Sequence, residues 1–380
     1  MEHPSVLIAS DSFKGSVSSI GVADLIEKGV RRVFPDCTVT KFAIADGGEG
    51  TVEAVVRALG GTLQEVEVSG PLGDPVKAHY GLVSGGLAVI EVAESSGITL
   101  IEQTRENAKN ASSLGVGQMI LDAIDHGATK IYIGLGGSAT SDGGVGMAKA
   151  LGVRFLDAEG GLVPCGLAGL ENLASIDCSR LSERLASVEI VALTDVTNPL
   201  TGPTGAVYVY GPQKGIAADE LEKLDGWMQR YAQILNQAVG SDVASLPGAG
   251  AAGGLGAALA AFCGARIERG IETVLDTIDL EGAMDGVDLV ITGEGRMDAQ
   301  SAYGKAPVGV AKRAKRHGIP VVAVVGGRAD DLGSVYDEGI DLVLSIATGP
   351  ITLKECMERA DVLLPISGES AIRALMLGRR

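Results

Sequence analysis

The sequence predicts an α/β protein: a doubly wound, flavodoxin-like parallel sheet interrupted in mid-chain by a second α/β domain. Three observations carry this. Short apolar runs alternate with helix-spaced segments at both ends of the chain. Between them, three strand-like runs follow one another through turns too short for crossover helices. The chain has 380 residues, 46% of them hydrophobic, which is more than one core usually organises.

The elements follow in order. "SVLIAS" reads as a buried strand, and Ile20, Ala23, Ile26, Val30 and Val33 then recur at helical spacing up to Pro35. "VTKFAIA" (39–45) is the second strand, and Val52, Val55, Val56 and Leu59 line a second helix closed by Gly60 and Gly61. "LQEVEV", "VKAHYGLV" and "LAVIEV" form an antiparallel meander. Next come the helix "GVGQMILDAIDHG", the strand "KIYIG", a hairpin "VRFLDAEGGLV", the strand "VEIVALTD" and a helix carrying Leu221, Leu224, Met228, Tyr231 and Leu235 on one face. The alternation returns with strand "VDLVIT", helix "VGVAKRAKRHG", strands "IPVVAVVG" and "DLVLSIA", and a closing helical segment. The expected division is therefore 1–65 plus 286–380 for the flavodoxin-like domain and 66–285 for the insert, with a ligand in the cleft between them.

A net charge of −17 and 3% aromatic residues argue against a nucleic-acid partner. Small anions are still allowed, provided that local lysines, arginines and backbone amides hold them. The five cysteines are scattered and form no CxxC pair, which fits neither a disulfide framework nor a zinc site. The uncharged stretch 243–265 is broken by Pro247 and glycines, so it reads as a loop and helix rather than a membrane span. "MEHPSVLIAS" lacks the features of a signal peptide, and the cytoplasm is the expected location.

Polar residues gather where the strands end, which in an open parallel sheet is the ligand-binding edge. The exits are "DSFKGS" (11–16), "ADGGEGT" (45–51), "TDVTNPLTG" (194–202) and "GEGRMDAQS" (293–301). Any one of Asp11, Asp46 and Asp195 is as readily a helix cap or turn residue. Lys14, Lys214 and Lys305 would ordinarily be surface lysines, but each lies beside glycine, which gives a ligand room to reach the ammonium. The run Gly134–Gly146 opens a helix and is expected to be an anion-binding entrance, with Ser138 and Thr140 adding hydroxyl donors. A tight packing turn is the plainer explanation. No GxxxxGK[ST] occurs, and the first strand does not lead into GxGxxG.

"SDSFKGS", "ADGGEGT", "GGSATSDGGVGMAKALG", "DVTNPLTGPTGAVYVYGPQKG", "GAGAAGGLGAAL" and "VITGEGRMDAQSAYGKAPVGVAK" together resemble the successive motifs of the bacterial glycerate kinase family, in order along nearly the whole chain. Ser10 stands where proline is frequent in that family, and Ser141 where asparagine is. The resemblance implies ATP-dependent phosphorylation of D-glycerate at its 2-hydroxyl, with Mg2+, and leaves the oligomeric state open. Within that chemistry Asp195 is the expected base or magnesium ligand, with Asp46 and Asp298 the next acids and Glu294 behind them; Asp195 and Asp298 are the expected metal ligands. Lys14, Arg296 and Lys214 are expected to neutralise carboxylate or phosphate. Ser12, Ser138, Thr140, Asn198, Gly293 and Gln300 complete the substrate- and phosphate-binding set. Two other readings are a nicotinamide-dependent hydroxy-acid dehydrogenase, disfavoured by the missing dinucleotide loop, and a non-catalytic small-anion sensor, which needs no acids around its phosphate loops.

Overall fold

The computed structural model describes residues 3–377. Its strands in chain order are Ser5–Ser10 (β1), Thr38–Ala43 (β2), Thr62–Ser69 (β3), Pro75–Val83 (β4), Leu87–Glu91 (β5), Lys130–Gly134 (β6), Arg154–Leu156 (β7), Ser175–Asp177 (β8), Glu189–Leu193 (β9), Arg266–Glu268 (β10), Leu289–Met297 (β11), Val321–Arg328 (β12) and Leu342–Ser345 (β13). The chain divides into two compact units. The first takes both ends of the chain, up to Asp46 and from Ile271, with 53–58; the second takes 47–52 and 59–270.

The first unit is built on a five-stranded sheet of order β13-β12-β11-β1-β2, parallel throughout. Counted along the chain within the unit, that order is 2-1-3-4-5, the flavodoxin-like arrangement. The strand order reverses between β1 and β11, where Ser10 pairs with Gly293. Parallel strands need both faces covered, and Val6, Leu7, Ile8 and Ala9 are all fully buried. The helix Ser19–Val33 covers one face with Val22, Ala23, Ile26 and Val30, and Ser18 caps it by accepting from Gly21 N–H at 3.3 Å.

The second unit has a six-stranded mixed sheet, β10-β9-β6-β5-β4-β3. β3, β4 and β5 form the antiparallel meander, while β5, β6, β9 and β10 run parallel. Three details depart from the sequence reading. The turn after β7 forms, with Asp157 N–H donating to Gly161 O at 2.9 Å, but the ladder partner of β7 is β8. β10 follows the alanine-rich helix Leu255–Cys263 and is too short to show a period. β11 runs through "GEGRM" rather than stopping at Thr292. Among the described residues no helix is long and apolar enough to cross a membrane.

Candidate active site

In the first unit, Asp11 N–H donates to Gly293 O at 2.9 Å and so carries the β1–β11 edge one residue past β1. That puts Asp11 at the point where the strand order reverses, the usual ligand position in such sheets. The next residues fold into a tight turn in which Ser16 and Val17 N–H both donate to Phe13 O, at 2.8 and 3.0 Å. Phe13 is buried as the anchor, which leaves Lys14 exposed at the tip. Ser16 Oγ donates to Met357 O at 3.1 Å, fastening the turn to the helix Leu353–Glu358.

These elements enclose a cavity of about 370 Å3. Its lining includes the polar side chains of Asp11, Ser12, Lys14, Asp46, Glu294, Arg296 and Lys305 and the apolar ones of Ile346, Leu353, Cys356, Met357 and Ala360. Glu294 and Arg296 lie two apart on β11, in register with Val325 and Gly327, so both project from one face of the strand. Burial pushes the Asp11 carboxyl up to about 7, and the charges of Asp46 and Glu294 push the same way, against the Ser12 N–H at 2.6 Å and the Lys14 ammonium. Burial also raises Glu294, opposed by Ser301 and by Lys305, whose Nζ lies 3.1 Å from Oε2. Ser12 Oγ is buried on the cavity wall with no hydrogen-bond partner among the described residues.

The second unit has a cavity of about 300 Å3 lined by Gly136, Gly137, Ser138, Thr194, Val196, Tyr210, Gln213 and Lys214, among others. Lys214 is 3% exposed, and burial lowers its pKa to about 7, opposed by the charge of Asp142. Its ammonium donates to Ser138 Oγ at 3.2 Å and to Thr140 O at 2.6 Å. Tyr210 Oη donates to Asn198 Oδ1 at 2.6 Å, which brings Asn198 next to the cavity wall.

Within the run Gly134–Gly146 much of the polar bonding is internal to the fold. Asp142, fully buried, accepts from Gly144 N–H and Gly146 N–H at 3.0 Å and from both the N–H and the hydroxyl of Ser113 at 2.9 Å. Its carboxylate thus takes the donors that an anion would need at the short helix Val145–Ala150. The glycines serve close packing: a Cβ on Gly136 would stand 2.7 Å from Gly48 Cα, and one on Gly144 would run into Ala258. Of this run, the stretch Leu135 to Ser138 lines the cavity.

The structure brings five of the predicted residues, Ser12, Lys14, Asp46, Glu294 and Arg296, into the first cavity and two, Ser138 and Lys214, into the second. Asp195 is half-buried just beyond β9, between the cavity-lining Thr194 and Val196. Four further predicted residues line neither cavity. Thr140 is fully buried with its hydroxyl 3.4 Å from Ala252 O. Gly293 lies within β11, where a side chain would strike Val324 O, so it serves strand packing. Asp298 caps the turn Ala299–Tyr303, accepting from Gln300 N–H at 3.0 Å, and Asp298 N–H donates to Ser301 Oγ at 3.2 Å. Neither Asp298 nor Gln300 lines the cavity. Asp11 and Lys305 carry more of the site than their motifs suggest; the signal for Asp11 is its place one residue beyond an apolar strand.

The glycerate kinase family model matches residues 6–376. The chain belongs to the glycerate kinase family. It is 46% identical over 361 residues to the glycerate kinase of Halalkalibacterium halodurans, covering 94% of this chain and 95% of that one. It is 44% identical over 376 residues to the glycerate 2-kinase of Escherichia coli K12, covering 99% of both. A solved structure from Salmonella typhimurium LT2, provisionally described as glycerate kinase 2, superposes with a TM-score of 0.87 at 44% identity over 99% of both chains. The family is one of enzymes, and both cavities fall within the matched span.

Proposed function

We propose that the chain transfers the terminal phosphoryl group of ATP to the 2-hydroxyl of D-glycerate in the cytoplasm, giving 2-phosphoglycerate and ADP. The observation that carries the proposal is the family match over residues 6–376. The chemistry of the first cavity supports it. Phosphoryl transfer asks mainly for positioning and charge neutralisation. Lys14 and Arg296 provide mobile positive charge beside phosphate oxygens, and Lys305 is steered by Glu294. Asp11, poised near neutrality, accepts the proton of the attacking hydroxyl.

Crowded carboxylates fit a hard cation, and the charges of Asp46 and Glu294 both push on Asp11. Among the described residues no three His, Cys, Asp or Glu side chains converge as a metal site by themselves. Magnesium takes one or two carboxylates and completes its shell with phosphate oxygens and water, so two acids of this lining suffice for it. Asp46 and Glu294 would hold it, and it would supply charge neutralisation on the phosphates. In the second unit, Lys214 and Ser138 hold an anionic group of one substrate.

A second assignment of the base, Asp195, is favoured by its place between two cavity-lining residues at the end of β9. The proposal is tested by incubating the protein with ATP, magnesium and D-glycerate, with nicotinamide and ATP-only controls, and identifying the product by phosphorus NMR. ADP with 2-phosphoglycerate is expected. Nicotinamide reduction, binding without turnover, or 3-phosphoglycerate would each contradict it.

A further inference from the structure

The first cavity has a wall that the three-carbon acid does not explain. Every carbon of glycerate carries oxygen, yet Ile346, Leu353, Cys356 and Met357 add apolar surface to a lining that is otherwise charged and polar. Leu353 is 77% exposed at the mouth, an unusual place for a large aliphatic side chain at the first position of a helix. In the proposed reaction the only flat, largely apolar moiety is the nucleobase. Sulfur-bearing side chains suit such a ring, because a polarisable thioether or thiol makes favourable contact with an aromatic system.

We infer that the nucleotide binds in the first unit, its base on the Leu353–Met357 wall and its phosphates toward Ser12, Lys14 and Arg296. This rests on the kinase reading above. Three observations favour this cavity over the one in the second unit. Among the described residues Lys14 and Arg296 stand in no ion pair, so this cavity offers two uncommitted cations against the single lysine of the other. Ser12 Oγ is a buried hydroxyl in the lining with no partner among the described residues. The cavity also lies where β1 and β11 diverge, the position at which sheets of this order receive nucleotides.

The test compares ADP with inorganic tripolyphosphate, which carries the charge but no base, by isothermal titration calorimetry of the whole chain and of Leu353→Asp. The substitution suits its place: the side chain is exposed, and an acid in the first turn of a helix is favourable. ADP affinity is expected to fall about tenfold, in line with the loss of one buried aliphatic contact, with tripolyphosphate affinity unchanged. Equal weakening of both ligands, no change in either, or no ADP binding by the wild type would overturn the inference. A wild type that phosphorylates glycerate while Leu353→Asp binds ADP normally refutes the inference alone. A wild type that binds ADP through Leu353 but phosphorylates nothing refutes the kinase reading alone.

Discussion

Asp11 belongs to the first unit and Asp142 to the second, yet in the sequence the two are alike, each an acid in a glycine- and serine-rich exit beyond an apolar strand. Their surroundings separate them. Asp142 receives two glycine N–H groups and both donors of Ser113. Asp11 receives one backbone N–H and shares its cavity with two further carboxylates. A carboxylate whose lone pairs are filled by the backbone is an anchor, and its charge is committed to the fold. One that is desolvated and crowded by like charge is left for chemistry. What distinguishes a structural acid from a reactive one is the supply of donors, which a motif does not display.

The contrast is broken most forcefully at the anchor. Asp142→Ala leaves several buried donors unpaired and is expected to cost at least about 3 kcal/mol, read as a lowered urea midpoint for the second unit. A variant as stable as wild type would deny the anchoring role. Lys14→Ala should keep the fold and weaken kcat/KM by about tenfold, the usual scale for one charge-assisted contact. Kinetics equal to wild type at both limiting substrates would return Lys14 to the solvated surface.

Lys214 sharpens the comparison through pH. Burial lowers its pKa from 10.5 to about 7 in the folded protein. Between those values the unfolded chain holds a proton that the native protein lacks, so stability rises with pH in that window. Urea midpoints at about pH 7 and about pH 9 should therefore diverge in the wild type and less so in Lys214→Met. Identical slopes would contradict the burial. The smallest effect is expected at Asp298→Asn. Asparagine caps nearly as well as aspartate, so stability should change by only a few tenths of a kcal/mol and turnover hardly at all. A large loss of turnover would restore Asp298 to the metal-binding set.

The alternating ends of the chain are legible because buried parallel strands and amphipathic helices each imprint a period. "SVLIAS" and the stripe Ile20–Val33 need no tertiary knowledge. β10, with three residues, imprints none. β11 reads short because its glycine, glutamate and arginine have the composition of a loop, and they are held extended by pairing with β12. In the site, Lys14, Glu294 and Arg296 emerge from acids, bases and glycines gathered at strand ends. Asp142 is hidden inside a run with the composition of a phosphate loop, since nothing local announces that Ser113, far away in sequence, will meet it. Asp298 is the opposite case: its partners, Gln300 and Ser301, sit beside it in plain view as a capping pattern.

If the desolvated carboxylate of the first unit carries the chemistry, Asp11→Asn and Asp195→Asn must part company in turnover. Both substitutions keep shape and remove charge. With saturating ATP, magnesium and D-glycerate, Asp11→Asn is expected to lose at least about a hundredfold in turnover with an unchanged melting temperature, and Asp195→Asn much less. A folded Asp11→Asn protein with near-normal turnover, alongside a crippled Asp195→Asn, would contradict the claim and move the base to the end of β9.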